Sequence, residues 1–305
     1  RRGVPVVVVN GRLTERSMRR LQRLGRFART MFADLTWVGA QDSTIAGRFR
    51  ALGVPEERVE ITSSMKWDTA AVADRIDGAE ELAQALGIPR DRPLWVCGST
   101  GPGEEALILG AFHQVLQDWP TLAQSVQGES GEGGGFGPPA LAVVPRKPER
   151  FDEVADLIGR LGFSVVRRSE CDGEAAGARI PESAVFLGDT MGELRKFYSL
   201  ADVVFVGRSL VPMGGSDPME VAALGKPIIV GPHMENFRLP VDALAGADAI
   251  RVVASADALP ATVEGILTDP ALASGLGARA KDVVARHQGA TGRTTDAIVQ
   301  VLATY

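Results

Sequence analysis

Four stretches of this 305-residue chain join glycine or proline with a charged side chain where an apolar run passes into a helical pattern. Such places suit the binding of an anion. Glycines let backbone N–H groups come close, and a helix start favours negative charge by about 0.3–1 kcal/mol. The first stretch is Gly98-Ser99-Thr100-Gly101-Pro102-Gly103-Glu104-Glu105, where Ser99 and Thr100 add hydroxyls. It lacks the Lys-Ser/Thr of a P-loop and the glycine spacing of a dinucleotide fingerprint. An ordinary turn, with Glu104 and Glu105 complementing a helix dipole, is the alternative. The second stretch, Val144-Pro145-Arg146-Lys147-Pro148-Glu149-Arg150, fixes its backbone with two prolines and offers Arg146 at a strand tip. A guanidinium fork matches phosphate, and a charge-assisted hydrogen bond there contributes about 1.5–3 kcal/mol. A solvated basic turn is the other reading.

The third stretch is Gly188-Asp189-Thr190-Met191-Gly192-Glu193. Thr190 or Asp189 suits a helix cap, which leaves the backbone N–H groups of Met191 and Gly192 for a ligand; plain capping is the alternative. The fourth runs from Gly214-Gly215-Ser216-Asp217-Pro218-Met219-Glu220 to Lys226-Pro227. Paired glycines, a cap at Ser216 or Asp217 and Pro218 at the first helical position describe a helix start packed close to something. Glu220, in the first turn, can accept two hydrogen bonds from a diol such as ribose, or simply complement the helix dipole. His233, in Gly231-Pro232-His233, follows the last strand and is either a cleft residue or a hydrogen-bonded structural one.

Other chemistries have no residues to support them. No His, Asp and Glu cluster has metal-ligand spacing, so no metal is expected, and no G-x-S-x-G elbow presents a serine nucleophile. His113, mid-helix, reads as structural. Cys97 and Cys171 stand far apart, which supports neither a disulfide framework nor a cysteine-rich zinc site and fits a reducing, cytoplasmic setting.

The elements that must carry these residues alternate between short apolar runs and helical stretches, the pattern of an α/β protein with parallel sheets. Val6 to Val9, Leu35 to Ala40 and Val59 to Thr62 read as strands, Thr14 to Phe32 as one amphipathic helix and Asp42 to Leu52 as another. This part resembles the last third of a doubly wound domain. A fresh alternation after Ala70 to Gly78 predicts a second domain with six parallel strands: Leu94 to Cys97, Leu141 to Val144, Ser164 to Arg167, Ala184 to Leu187, Val203 to Val206 and Pro227 to Val230. The predicted domains are residues 1–75, residues 76–288, and a C-terminal helix at 289–305 that packs back on the first. Two Rossmann-like domains in tandem put their ligands beyond the carboxyl ends of the strands. Gln127 to Pro139, rich in Gly, Glu and Ser, reads as a mobile surface loop.

The net charge of -5 hides an asymmetry, because residues 1–30 hold nine Arg and one Glu. Arg16, Arg19, Arg20, Arg23, Arg26 and Arg29 form a basic stripe beside an apolar one of Leu13, Met18, Leu21, Leu24 and Met31. Such a helix suits an anionic membrane surface; a solvated face on a core helix is the alternative. Without an aromatic stacking platform, nucleic acid is disfavoured. The longest apolar runs fall far short of the roughly 20 residues that cross a bilayer. The chain opens directly on a buried-strand pattern, which suggests a start in mid-domain.

Taken in order, Asn10-Gly11-Arg12-Leu13-Thr14-Glu15-Arg16-Ser17, Thr62-Ser63-Ser64-Met65-Lys66-Trp67-Asp68, the Gly98 to Thr100 turn, the Pro145 to Arg150 turn, Leu187 to Leu194 and Gly214 to Pro227 with Gly231 to His233 resemble the transferases of 3-deoxy-D-manno-octulosonic acid (Kdo), which have GT-B architecture. The resemblance runs nearly end to end. It implies that CMP is held by Pro145 and Arg146, by Met191, Gly192 and Glu193, and by Asp217, Pro218, Met219 and Glu220. Lys66 would help stabilise the transition state, with Ser99, Thr100, Gly214, Gly215 and His233 as further donor-side candidates. It also implies metal-free transfer of Kdo from CMP-Kdo to a lipid A precursor with inversion, without a cofactor, at the cytoplasmic face of the inner membrane. The basic helix then meets an anionic phosphoglycolipid. Three features depart from the family: Ser216-Asp217 stands where the pattern has His-Asn, the Gln127 to Pro139 loop is longer, and the family's catalytic Glu lies ahead of Arg1. On that reading these 305 residues bind CMP but transfer Kdo poorly. Outside this class stand a UDP-sugar 2-epimerase, which would prefer UDP, and a non-catalytic nucleotide-binding remnant.

Overall fold

The computed structural model describes residues 4–130, 137–171 and 180–304. The chain divides into two compact units, one made of Arg1–Ala71 with Val284–Tyr305 and one of Val72–Val283.

The smaller unit starts with β1 (Val7–Gly11), α1 (Glu15–Gln22), α2 (Arg26–Ala33), β2 (Trp37–Ala40), α3 (Ser43–Ala51) and β3 (Val59–Ile61). Its sheet is parallel in the order β1-β2-β3. Ile45 and Phe49 on α3, with Leu52 just after it, close its core over Val38, together with Phe32. Asp42 starts α3 as expected, its carboxylate accepting the Ile45 N–H at 2.7 Å.

One helix was expected over Thr14 to Phe32, and two are found. Gly25 adopts φ +56°, a left-handed conformation that interrupts the helix and that a residue without Cβ reaches at little cost. The break also splits the apolar stripe. Leu13 is buried and Met18 and Leu21 pack on the core, whereas Leu24, Phe27 and Met31 are 53%, 70% and 45% exposed among the arginines.

The same unit is completed by α12 (Ala290–Ala303), whose start is capped from far along the chain. The Asp68 carboxylate accepts the Gly289 N–H at 2.7 Å and the Thr291 N–H at 2.6 Å. Partial burial pushes this carboxyl up, but the bonds from Thr291 and Gly289 hold it below its ordinary value. Trp67 stacks on the His287 ring at 4.6 Å, and Arg293 donates to the Thr62 carbonyl at 2.9 Å and 3.2 Å.

The larger unit contains α4 (Ala79–Leu86), β4 (Leu94–Thr100), α5 (Glu104–Ser130), β5 (Ala140–Pro145), α6 (Phe151–Arg160), β6 (Val165–Arg167), β7 (Val185–Leu187), α7 (Leu194–Leu200) and β8 (Val203–Val206). It continues with α8 (Met219–Ala223), β9 (Ile228–Val230), α9 (Arg238–Gly246), β10 (Arg251–Val252), α10 (Leu259–Leu267) and α11 (Pro270–His287), whose last turn belongs to the smaller unit. All pairings are parallel, in the order β10-β9-β8-β4-β5-β7-β6. The sheet therefore has seven strands rather than six, since the two-residue β10 is too short to leave a periodic signal. Trp95, Leu141, Val143 and Phe205 are fully buried in the core, as strands covered on both faces require.

Two further expectations change. β4 was expected to end at Cys97 and continues to Thr100, with a register shift between Gly98 and Thr100 where Ser99 takes φ +56°. What read as a turn is a bulged strand end. Of the loop expected at Gln127 to Pro139, residues 127–130 continue α5, and 131–136 lie outside the described residues.

Candidate functional site

The carboxyl ends of β7, β5, β4, β8 and β9 lie side by side along one edge of the larger sheet. From these ends leave the segments 188–193, 146–150, 101–103, 207–218 and 231–236, which hold every candidate residue of this unit that is not in the strand ends or α8. In an open parallel sheet this edge is where ligands bind.

At the centre, Thr100 pairs with Pro145 in register, and the Arg146 N–H donates to the Thr100 carbonyl at 3.2 Å. The Arg146 side chain is exposed. Beneath it, Arg150 is 8% exposed and bonds Glu105 in bidentate fashion at 2.7 Å and 3.0 Å, while the Thr100 hydroxyl donates to Glu105 at 2.8 Å. The Glu105 bond and, in smaller part, the Glu153 bond raise Arg150 above its ordinary value despite burial, so it stays charged. Glu105 is thus no exposed complement to a helix dipole. It ties the end of β4 to the turn that carries Arg146.

Glu104 ties β4 to β8 in the same way. Its fully buried carboxylate accepts N–H groups from Gly101 at 3.1 Å, Ser209 at 2.7 Å, Leu210 at 2.8 Å and also Arg208. Burial pushes this carboxyl up and the four donors oppose it. Ser99 and Arg208 both hold left-handed backbone, at φ +56° and +60°, which costs a non-glycine residue about 1 kcal/mol or more.

The Gly214 to Glu220 stretch joins this edge directly. The Ser216 hydroxyl donates to the Ser99 carbonyl at 3.3 Å, so Ser216 does not cap the helix. Pro218 takes the cap position rather than the first helical one, and Asp217, just before it, accepts the Met219 N–H through Oδ1 at 2.9 Å. The close neighbour announced by the paired glycines is protein: a Cβ on Gly215 would overlap Met234 and lie 3.1 Å from the His233 carbonyl oxygen. His233 is half-buried, donates its N–H to the Ser209 carbonyl at 2.9 Å and has the Glu235 carboxylate 3.6 Å from Nδ1. Glu220 is half-buried; burial and then the Asp217 charge raise its carboxyl, with Arg195 opposing them.

Residues 191–193 lead into α7, which packs on α8 and β4. No side chain caps α7, contrary to the sequence expectation. Asp189 is instead held by Arg167 at 2.7 Å and by the Ser169 hydroxyl at 2.6 Å, and Thr190 donates to Glu193 at 2.5 Å. The Glu193 carboxylate also meets Arg168 at 3.0 Å and Lys196 at 3.1 Å, and these partners bring it below its ordinary value although burial pushes it up. The Met191 side chain is 70% exposed. Two α7 side chains that the sequence reading passed over face the site. Arg195 acts on Glu220, and Tyr198, fully buried, lies so close to Gly98 that a Cβ there would overlap its ring. Only their spacing of three on one helix hinted at a shared face. Lys66 is an exposed residue of the other unit.

Parallel α/β units with candidate ligand residues along a strand-end edge define this as a GT-B-like fold. Comparison with known proteins makes the class specific. The family profile described as 3-deoxy-D-manno-octulosonic-acid transferase (kdotransferase) matches residues 1–69. The chain is 33% identical to the Haemophilus influenzae 3-deoxy-D-manno-octulosonic acid transferase over 304 residues, covering 97% of this chain and 64% of that protein. It is 32% identical to the Bordetella pertussis enzyme of the same name, again covering 97% and 64%. The crystal structure of the C-terminal CMP-Kdo binding domain of WaaA from Acinetobacter baumannii matches with 32% identity and a TM-score of 0.54, over 68% of this chain and 95% of that one. The chain belongs to the Kdo transferase family, and it spans just under two thirds of the length of these two enzymes.

Proposed function

We propose that the larger unit binds the donor CMP-Kdo and that the whole protein moves Kdo to a lipid A precursor in lipopolysaccharide synthesis. The observation that carries this is the arrival of Arg146, Met191 to Glu193 and Asp217 to Glu220 along one edge of one parallel sheet, at the ends of β5, β7 and β8. The similarity to a domain named for CMP-Kdo binding supports the choice of nucleotide. In this reading Pro145 and Arg146 hold the phosphate, the backbone at Met191 and Gly192 with Glu193 borders the nucleotide, and Asp217 to Glu220 receives the ribose.

Breaking the bond between the anomeric carbon and the phosphate leaves negative charge on CMP. Arg146 stabilises that charge best if it is fixed beforehand, and the Glu105–Arg150 pair beneath it supplies the rigidity. Lys66 is assigned to the transition state from the smaller unit. The acceptor is an anionic lipid at the cytoplasmic membrane surface, engaged by the arginines of α1 and α2. Among the described residues no helix is long and apolar enough to cross a membrane.

Calorimetry with CMP and UDP tests the donor assignment. CMP should bind at least about tenfold more tightly than UDP, and Arg146→Ala should cost about 10- to 100-fold in CMP affinity. Equal or tighter binding of UDP would overturn the reading.

A further inference from the structure

We infer that Arg208 is a second guanidinium of the donor site, and that it reads the carboxylate of the sugar rather than the phosphate. This rests on the larger unit being the donor site. Arg208 stands two residues beyond the end of β8, on the opposite side of β4 from Arg146, so the two arginines flank the Thr100 end of the central strand.

Its backbone is held in an unfavourable conformation from both directions. φ is +60°, the N–H donates to the buried Glu104 carboxylate, and the carbonyl accepts the Gly215 N–H at 2.8 Å. Glycine would take this conformation at little cost, so an arginine here bears strain for the sake of its side chain. That side chain is half-buried. Its Cγ lies 3.0 Å from where a Cβ on Gly101 would stand, and Nη2 donates to the Met213 carbonyl at 3.3 Å. Among the described residues, no ion pair to a carboxylate is recorded for it, unlike the buried Arg150. A half-buried guanidinium spending one hydrogen bond on a neutral carbonyl keeps further donors for an anion.

A CMP-linked sugar acid brings two anions to this edge, one on the phosphate and one on the carboxylate borne by the anomeric carbon. Neighbouring strands stand about 4.8 Å apart, so the ends of β5 and β8 are about 10 Å apart across β4. Two arginines set that far apart suit two anions that are both attached at one anomeric carbon, the carboxylate directly and the phosphate through its ester oxygen. Neutral sugars give Arg208 nothing to bind, which makes it a determinant of specificity.

The test compares wild type, Arg208→Gly and Arg208→Asn, both replacements suiting left-handed backbone, so that folding is kept and thermal melts verify it. Three probes are titrated: CMP, freshly made CMP-Kdo, and CMP-Kdo with its carboxylate converted to a carboxamide. Wild type should prefer the acid over the amide by about 10- to 100-fold, the worth of one charge-assisted bond. Both variants should lose that preference while CMP affinity stays within about threefold. Retention of the preference overturns the inference, and so does an equal loss for CMP, which would place Arg208 on the phosphate. Failure of the wild type to bind CMP at all would instead overturn the donor reading, a result distinguishable from both.

Discussion

Replacing Glu104 by Gln changes one atom and almost no volume, yet it strikes the junction between β4 and the segment after β8. Each carboxylate oxygen serves two backbone donors: Oε2 takes Gly101 and Arg208, and Oε1 takes Ser209 and Leu210. Whichever way the amide turns, its NH2 faces two N–H groups and both bonds are lost. At about 1.5–3 kcal/mol for each bond to a charged acceptor, the loss is about 3–6 kcal/mol. Relief of a buried charge offsets part of it, leaving about 2–4 kcal/mol. Urea unfolding of wild type and Glu104→Gln measures this as a lower midpoint at unchanged slope. A second signature has a definite sign. Because burial raises the Glu104 carboxyl, the folded state takes up its proton more readily than the unfolded chain, so this group's contribution to stability falls as pH rises from about 4.5 to the raised value. That component should vanish in Glu104→Gln. A destabilisation below about 0.5 kcal/mol would refute the assignment of Glu104 as the tie between the two strand ends.

Glu220→Gln should act in opposite directions on stability and binding: removing a carboxylate disfavoured by burial and by Asp217 should stabilise the free protein by up to about 1 kcal/mol near neutral pH, while CMP affinity falls several-fold. Loss of stability with unchanged affinity would make Glu220 structural; melts and calorimetry on one preparation decide. Asp217→Asn keeps an oxygen for the Met219 N–H but removes the charge beside Glu220, so CMP affinity should rise by about three- to tenfold in low salt, with less gain at 1 M salt. Asp68→Ala should cost about 0.5–2 kcal/mol by uncapping α12. Since Asp68 lies below its ordinary value, its contribution is present above about pH 4 and fades as pH falls through the lowered value, so the two proteins should converge in acid denaturation.

The parallel α/β architecture and most strand positions were legible because strands such as Val203–Val206 are continuous apolar runs, which buried parallel strands must be. The candidate residues were legible for a related reason: glycine or proline beside a charged residue at a strand end is a combination that local sequence displays in full. What stayed hidden depends on partners remote in sequence. Glu104 and Glu105 look like ordinary first-turn carboxylates until Arg208 to Leu210 and Arg150 arrive from about 105 and 45 residues further on. Gly25 could have stayed helical at a modest cost, and nothing local announced that its φ would be positive. The bulge at Ser99 arises from pairing with β5 and β8 on either side, which the β4 residues alone do not encode. Beyond its spacing of three from Arg195, Tyr198 gave no signal, since a tyrosine beside Phe197 reads as ordinary core.

The capping of α12 by Asp68 also sets an order of events in biosynthesis. The partners Asp68 and Gly289 are 221 residues apart, and the larger unit is a single uninterrupted span between them. At synthesis speeds of about 5–20 residues per second, Asp68 waits on the order of 10–40 s for the helix it caps. During that interval Val72–Val283 is synthesised, while α12, which completes the smaller unit, is still to come. The smaller unit therefore gathers its contacts from two segments made well apart in time, and the cap on α12 closes only after Thr291 has been made.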